Sequence, residues 1–125
     1  MRTGRQVLER ALILLGYTGM DGRPDEVRDA ALFKKGEAAV RQIYDELRRI
    51  DRMGGDSPLE SMEQELVLSP AAIRDVMPYG VAMLLAQNEG DGDCQTLFSA
   101  LYSRKRSSVP QRKRSVSDVL PKGGY

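Results

Sequence analysis

The chain has no histidine, no tryptophan and one cysteine, Cys94. Each absence removes chemistry. Without histidine the commonest general base and metal ligand is gone, and neither a Ser-His-Asp nor a Cys-His arrangement can be built within the chain. A lone cysteine allows no internal disulfide, excludes a secreted disulfide framework and leaves no cysteine pair for zinc. With two Phe and five Tyr, the core falls to aliphatic residues, Ala and six Met, a filling that suits adaptable packing better than a rigid cavity. No stretch approaches the roughly twenty apolar residues a bilayer span needs. The short apolar run from Ala11 to Leu15 follows Glu9 and Arg10, which argues against a signal peptide. No phosphate-cradling glycine loop is present. Asp91-Gly92-Asp93 has part of a calcium-loop pattern, but Gly92 is misplaced and the closing glutamate is missing, so a helix cap is the better reading. Glu63 and Glu65 lack an apolar pocket signal and read as surface charges. The sequence therefore predicts no catalytic residues, no metal and no cofactor.

What the chain does have is an uneven charge distribution. Residues 1–103 hold twelve Lys/Arg against seventeen Asp/Glu, whereas residues 104–125 hold seven Lys/Arg against the single acid Asp118. A split of this kind marks an interaction arm on a folded body. The expected domains are a helical body, 1–103, and a basic arm, 104–125. The body is long enough to bury about two-thirds of its unfolded surface around one small core.

Periodicity predicts helices throughout the body. Thr3 and Gln6 have capping-box spacing, Val7, Leu8, Ala11, Leu12 and Leu15 recur at helical steps, and Gly16 is a natural stop. A second helix is predicted from Pro24 to Arg52, with proline in its first turn and acids at its positive end. Unbroken, it would run about 43 Å. Its inner stripe is Val27, Ala30, Phe33, Gly36, Val40, Ile43, Leu47 and Ile50, and Gly36 on that stripe either permits close helix contact or marks a break. Glu37, Arg41, Asp45 and Arg49 form an alternating-sign ladder that reads as a solvated face. Gly54-Gly55 ends this element. Pro58 to Leu68, with Leu59, Met62 and Leu66, is either a short helix or a loop across the core.

Ser69-Pro70 is a helix start. From Met77 to Ala86 there is no charge, and a helix apolar all round is buried all round, so this is the expected central helix, kinked or split by Pro78. Asp91 or Asp93 caps a last helix that packs through Cys94, Leu97, Phe98, Leu101 and Tyr102 and ends in Arg104-Lys105-Arg106. Cys94 reads as a small buried hydrophobe whose acidic neighbour raises its pKa. In the arm, Val116 and Val119-Leu120 suit an edge strand formed with another chain. No strand is expected in the body.

The arm has three readings: a solvated end, a phosphate-neutralising nucleic-acid arm, or a strap docking on an acidic neighbour. No aromatic residue interleaves the basic ones before Tyr125, which disfavours base stacking. Extended, residues 104–125 would reach about 73 Å, and an identical acidic body is an available acceptor. Reach and complementarity favour the third reading and a head-to-tail ring. Its docking residues are Arg104, Lys105, Arg106, Arg112, Lys113, Arg114, Val116, Val119 and Leu120.

The segment Leu68-Ser69-Pro70, the run Met77-Pro78-Tyr79-Gly80-Val81-Ala82-Met83-Leu84-Leu85-Ala86, and Phe98 with Tyr102 resemble the small helical head–tail connector (adaptor) proteins of tailed phages and prophages. The order of elements is similar over residues 3–106, and the residue pattern over about 66–102. The resemblance implies core-helix roles for Ser69, Pro70, Met77, Pro78, Tyr79, Gly80, Leu84 and Leu85. It also implies a ring of about twelve identical subunits docked on the portal protein at the virion neck. A neck or tail-completion protein would bind the other side. DNA would pass through without sequence-specific binding, no membrane is involved, and synthesis is in the bacterial host cytoplasm. The expectation is thus an all-α bundle of four or five helices, with a long second helix, a Pro-kinked central helix and an extended basic C-terminal arm, acting as a structural, non-enzymatic connector. The alternatives are a small DNA-binding packaging or regulatory protein using the same arm, and a helical domain that dimerises through its last helix.

Overall fold

The computed structural model describes residues 1–111. Among these there are four α-helices and no strand: α1, Gly4–Leu14; α2, Ala30–Ile50; α3, Met77–Asn88; and α4, Gly92–Arg106. A π-helical turn, Ala72–Val76, leads into α3. The all-α expectation holds for the described chain.

The capping box at α1 forms as its spacing predicts. The Gln6 N–H donates to Thr3 Oγ1 at 3.3 Å, and the Thr3 N–H donates to Gln6 Oε1 at 3.1 Å. Val7, Leu8, Ala11 and Leu12 turn inward. The helix stops because Gly16 takes φ +88°, a left-handed conformation that glycine adopts without steric cost.

The second helix starts later than its sequence suggests. Asp25 Oδ1 accepts the N–H groups of Val27 and Arg28, both at 3.1 Å, but this caps only a local turn. Asp29, at φ −107° and ψ 34°, leaves helical geometry before Ala30. Val27, expected on the inner stripe, is 90% exposed, and Ala30 is exposed too. No neighbour offers them apolar cover, so extending the helix to Pro24 would bury nothing. From Phe33 onward the stripe holds: Phe33, Gly36, Val40, Ile43 and Leu47 are buried. Gly36 lies where α1 crosses. A Cβ there would collide with the Leu8 side chain, so the glycine sets close approach and marks no break. On the outer ladder Arg49 pairs with Asp45 at 3.0 Å, while Arg41 instead donates to the carbonyls of Leu59 and Glu60, each at 3.3 Å.

Residues 58–68 are the loop across the core, not a helix. Leu59, Met62, Leu66 and Leu68 are buried, and Leu59 and Met62 cover Gly4 of α1. The loop's backbone is tied down by Arg5 N–H to the Met62 carbonyl at 2.9 Å and Leu66 N–H to the Arg2 carbonyl at 2.8 Å.

Helix α3 touches the other three helices. Met77, Pro78, Gly80, Val81, Ala82, Leu85 and Ala86 are buried along it. Pro78 cannot donate to the preceding turn. The wider turn just before it, closed by Met77 N–H to the Ala72 carbonyl, takes up the misfit. Gly80 lets α4 and α2 close in, since an added Cβ would sit 2.8 Å from the Tyr102 ring and 2.9 Å from Ile43.

Candidate assembly surface

Asp91 caps α4, accepting the Cys94 N–H at 3.1 Å. That bond holds the Asp91 carboxyl below its ordinary pKa. The Cys94 thiol is pushed up, first by its hydrogen bond to Asp91 and then by desolvation. Cys94 is half-buried rather than buried, and a raised pKa makes it a poor nucleophile.

The inner side of α4 is narrower than its sequence suggests. Phe98 and Tyr102 are buried, Leu101 is half-buried, and Leu97, expected to pack inward, is 55% exposed. Phe98 meets Tyr79 of α3 with ring centroids 6.2 Å apart. The Tyr102 hydroxyl donates to Glu46 of α2, and Arg106 reaches the other oxygen of that carboxylate at 2.9 Å while lying over the Tyr102 ring. Burial, followed by the bond to Glu46, raises the Tyr102 pKa. Lys105 sits 4.5 Å from the centre of the Tyr79 ring.

Two of the three cations expected to open a docking arm are therefore engaged by their own body. The chain stays packed beyond them. Val109 is 4% exposed, the Pro110 carbonyl accepts the Arg52 N–H at 2.7 Å, and Gln111 forms a bridge with Asp51. The packing thus runs at least to Gln111, past the point at residue 104 where the arm was expected to leave the body. The apolar contacts of Val109, invisible in a run of charges, explain the difference. Arg112, Lys113, Arg114, Val116, Val119 and Leu120 lie outside the described residues. Counted to Gln111, the described residues hold fifteen Lys/Arg against seventeen Asp/Glu, and residues 112–125 hold four against one. The charge asymmetry keeps its sign and loses half its size.

Asp51 anchors this end of the molecule and was missed by sequence reasoning. It is fully buried. One oxygen accepts the Met53 N–H at 2.7 Å, and the other accepts the Ser69 N–H at 3.1 Å and the Ser69 hydroxyl at 2.7 Å. Ser69, expected to cap the helix beginning at Pro70, gives its hydroxyl to Asp51 instead. Met53 and Val67 are about half exposed nearby, at 52% and 50%. Of the residues carrying the connector pattern, Met77, Pro78, Gly80 and Leu85 are buried, Tyr79 and Leu84 are half-buried, and Pro70 is exposed.

A groove of about 300 Å³ between α2 and α3 is lined by Lys35, Gln42, Gln87 and Asn88 with Ala39 and Leu84; amides and one ammonium form no acid–base pair. Among the described residues no group of three or more Cys, Asp or Glu is placed to hold a metal, and no helix is long and apolar enough to cross a membrane. No protein-family model, no curated protein and no solved structure matches this chain.

Proposed function

We propose that this protein is a structural subunit of a phage virion neck. Identical copies form a ring that docks on the portal, extends the DNA channel and presents a surface to the next neck or tail protein. The observation that carries the reading is the charge division: a helical body with an acidic excess, packed and backbone-bonded as far as Gln111, followed in sequence by a segment with four Lys/Arg and one Asp. Leaving from the Asp51 end of the body, fourteen residues could extend up to about 46 Å. That is enough to cross to a neighbouring body whose radius of gyration is about 13 Å.

The reading assigns the strap to Arg112, Lys113 and Arg114, with Val116, Val119 and Leu120 as its apolar contacts. Arg104 contributes at its root, while Lys105 and Arg106 hold α4 to its own body. The long second helix serves as the subunit's spine, and the wider turn before Pro78 is where the reading puts the kink of the central helix. An acidic lumen repels phosphate, which suits a channel through which DNA must slide.

Native mass spectrometry of the purified chain without DNA, beside a duplex-DNA titration over a salt series, tests this. The connector reading expects closed rings without DNA and only feeble DNA affinity. Monomers with a tight duplex affinity that falls steeply with salt would instead mark a DNA-binding protein.

A further inference from the structure

The outer face of α4 has a pattern that its own body does not use. Asp93, Thr96, Leu97, Ala100, Ser103 and Arg104 are all exposed on it, and Leu97 keeps 55% of its surface in water. Asp93, Leu97, Ala100 and Arg104 follow steps of four, three and four, the spacing of a straight stripe facing a partner helix. Neither Asp93 nor Arg104 has an ion-pair partner among the described residues. This differs from Lys105, over Tyr79, and Arg106, on Glu46.

The stripe is self-complementary in one orientation. Its acid and its base lie equally far from the midpoint between Phe98 and Ser99, and so do its large and its small apolar residue. We propose that two copies of this chain pair through α4, antiparallel about a two-fold axis at that midpoint. Asp93 of each copy faces Arg104 of the other, and Leu97 of each seats against Ala100 of the other. Both contacts occur twice, as an isologous interface requires. Thr96 and Ser103 beside the stripe are small enough for the helices to approach closely. A parallel pairing would set Asp93 against Asp93 and Arg104 against Arg104, so charge selects the antiparallel form. The interface is a single helix face, which makes the pair weak and dynamic. The pairing does not rest on the ring: a cyclic ring lacks this two-fold, so the dimer is the free subunit's form before assembly.

Sedimentation of the full-length chain from about 1 μM to about 1 mM tests this pairing. The wild type should show a dimer step between the monomer and any ring. Asp93→Arg should raise the dissociation constant about tenfold, because two attractions become two repulsions. Asp93→Arg with Arg104→Asp should restore the pair, and Leu97→Lys should remove it, with helicity checked by circular dichroism. A wild type that stays monomeric throughout overturns the proposal. So does association into rings with no dimer step, a dimer that Asp93→Arg leaves unchanged, or a double swap that fails to restore pairing while remaining folded.

Discussion

Asp51 is the residue on which the junction between the end of α2 and the start of the central helix depends. Its carboxylate takes three hydrogen bonds in a site without solvent access, joining the end of α2 to the start of the central helix. Truncation would leave the Ser69 and Met53 donors buried or half-buried without an acceptor. Asp51→Ala should therefore cost about 3 kcal/mol, and Ser69→Ala about 1 kcal/mol, as urea unfolding of each variant would show; losses below a few tenths for Asp51→Ala would contradict the assignment. This pair was not legible in the sequence. Its members stand eighteen positions apart, and Ser69 before Pro70 mimics a local cap. The Thr3–Gln6 box was legible because its donors and acceptors lie within one turn. Tyr102 gives a second residue-scale prediction. Its folded pKa is raised above the ordinary 10.0, so the folded state keeps a proton that the unfolded state gives up. Its contribution is complete below pH 10 and fades as pH rises through 10 toward the raised value. Tyr102→Phe should reduce the alkaline loss of stability seen in denaturant melts between pH 9 and 11; an unchanged profile would show that Tyr102 ionises like an exposed phenol.

At the scale of elements, α2 shows both how far periodicity reaches and where it stops. The stripe from Phe33 to Leu47 is buried as its spacing predicts, because a fixed set of neighbours covers every third or fourth residue. The predicted first turns have the right cap and the right acids but no cover for Val27, and they remain an isolated turn. Local propensity starts a helix; packing decides whether it continues. Gly36 belongs to the covered part. Gly36→Ala should destabilise by about 1–2 kcal/mol, despite a better helix propensity, because the new methyl meets Leu8. A smaller partner, Leu8→Ala, should rescue part of that loss in a double-mutant cycle. Independent, additive effects would mean that the two helices are not in contact there. The same limit explains α4: its sequence shows the apolar positions at helical spacing but not which side of the helix the body covers, so Leu97 reads as core although it faces out.

Over the whole molecule, the fold class and the order of the helices were readable from hydrophobic period, caps and glycine breaks. The packing of the chain beyond Tyr102 was not. A cluster of cations after Tyr102 looks like the root of an arm, yet Arg106 finds Glu46, Lys105 finds Tyr79, and Val109 finds the core. The proposed function makes one central claim: the packed chain described through Gln111 makes the subunit, and residues 112–125 are proposed to fasten it to its neighbours. The most direct test is native mass spectrometry at low salt of the full chain beside a chain ending at Gln111, each checked for helicity and cooperative melting. The account predicts that both fold alike and that only the full chain forms rings, which dissociate in high salt. Rings of undiminished abundance from the shortened chain, or a full chain that stays below ring size at every concentration, would contradict it.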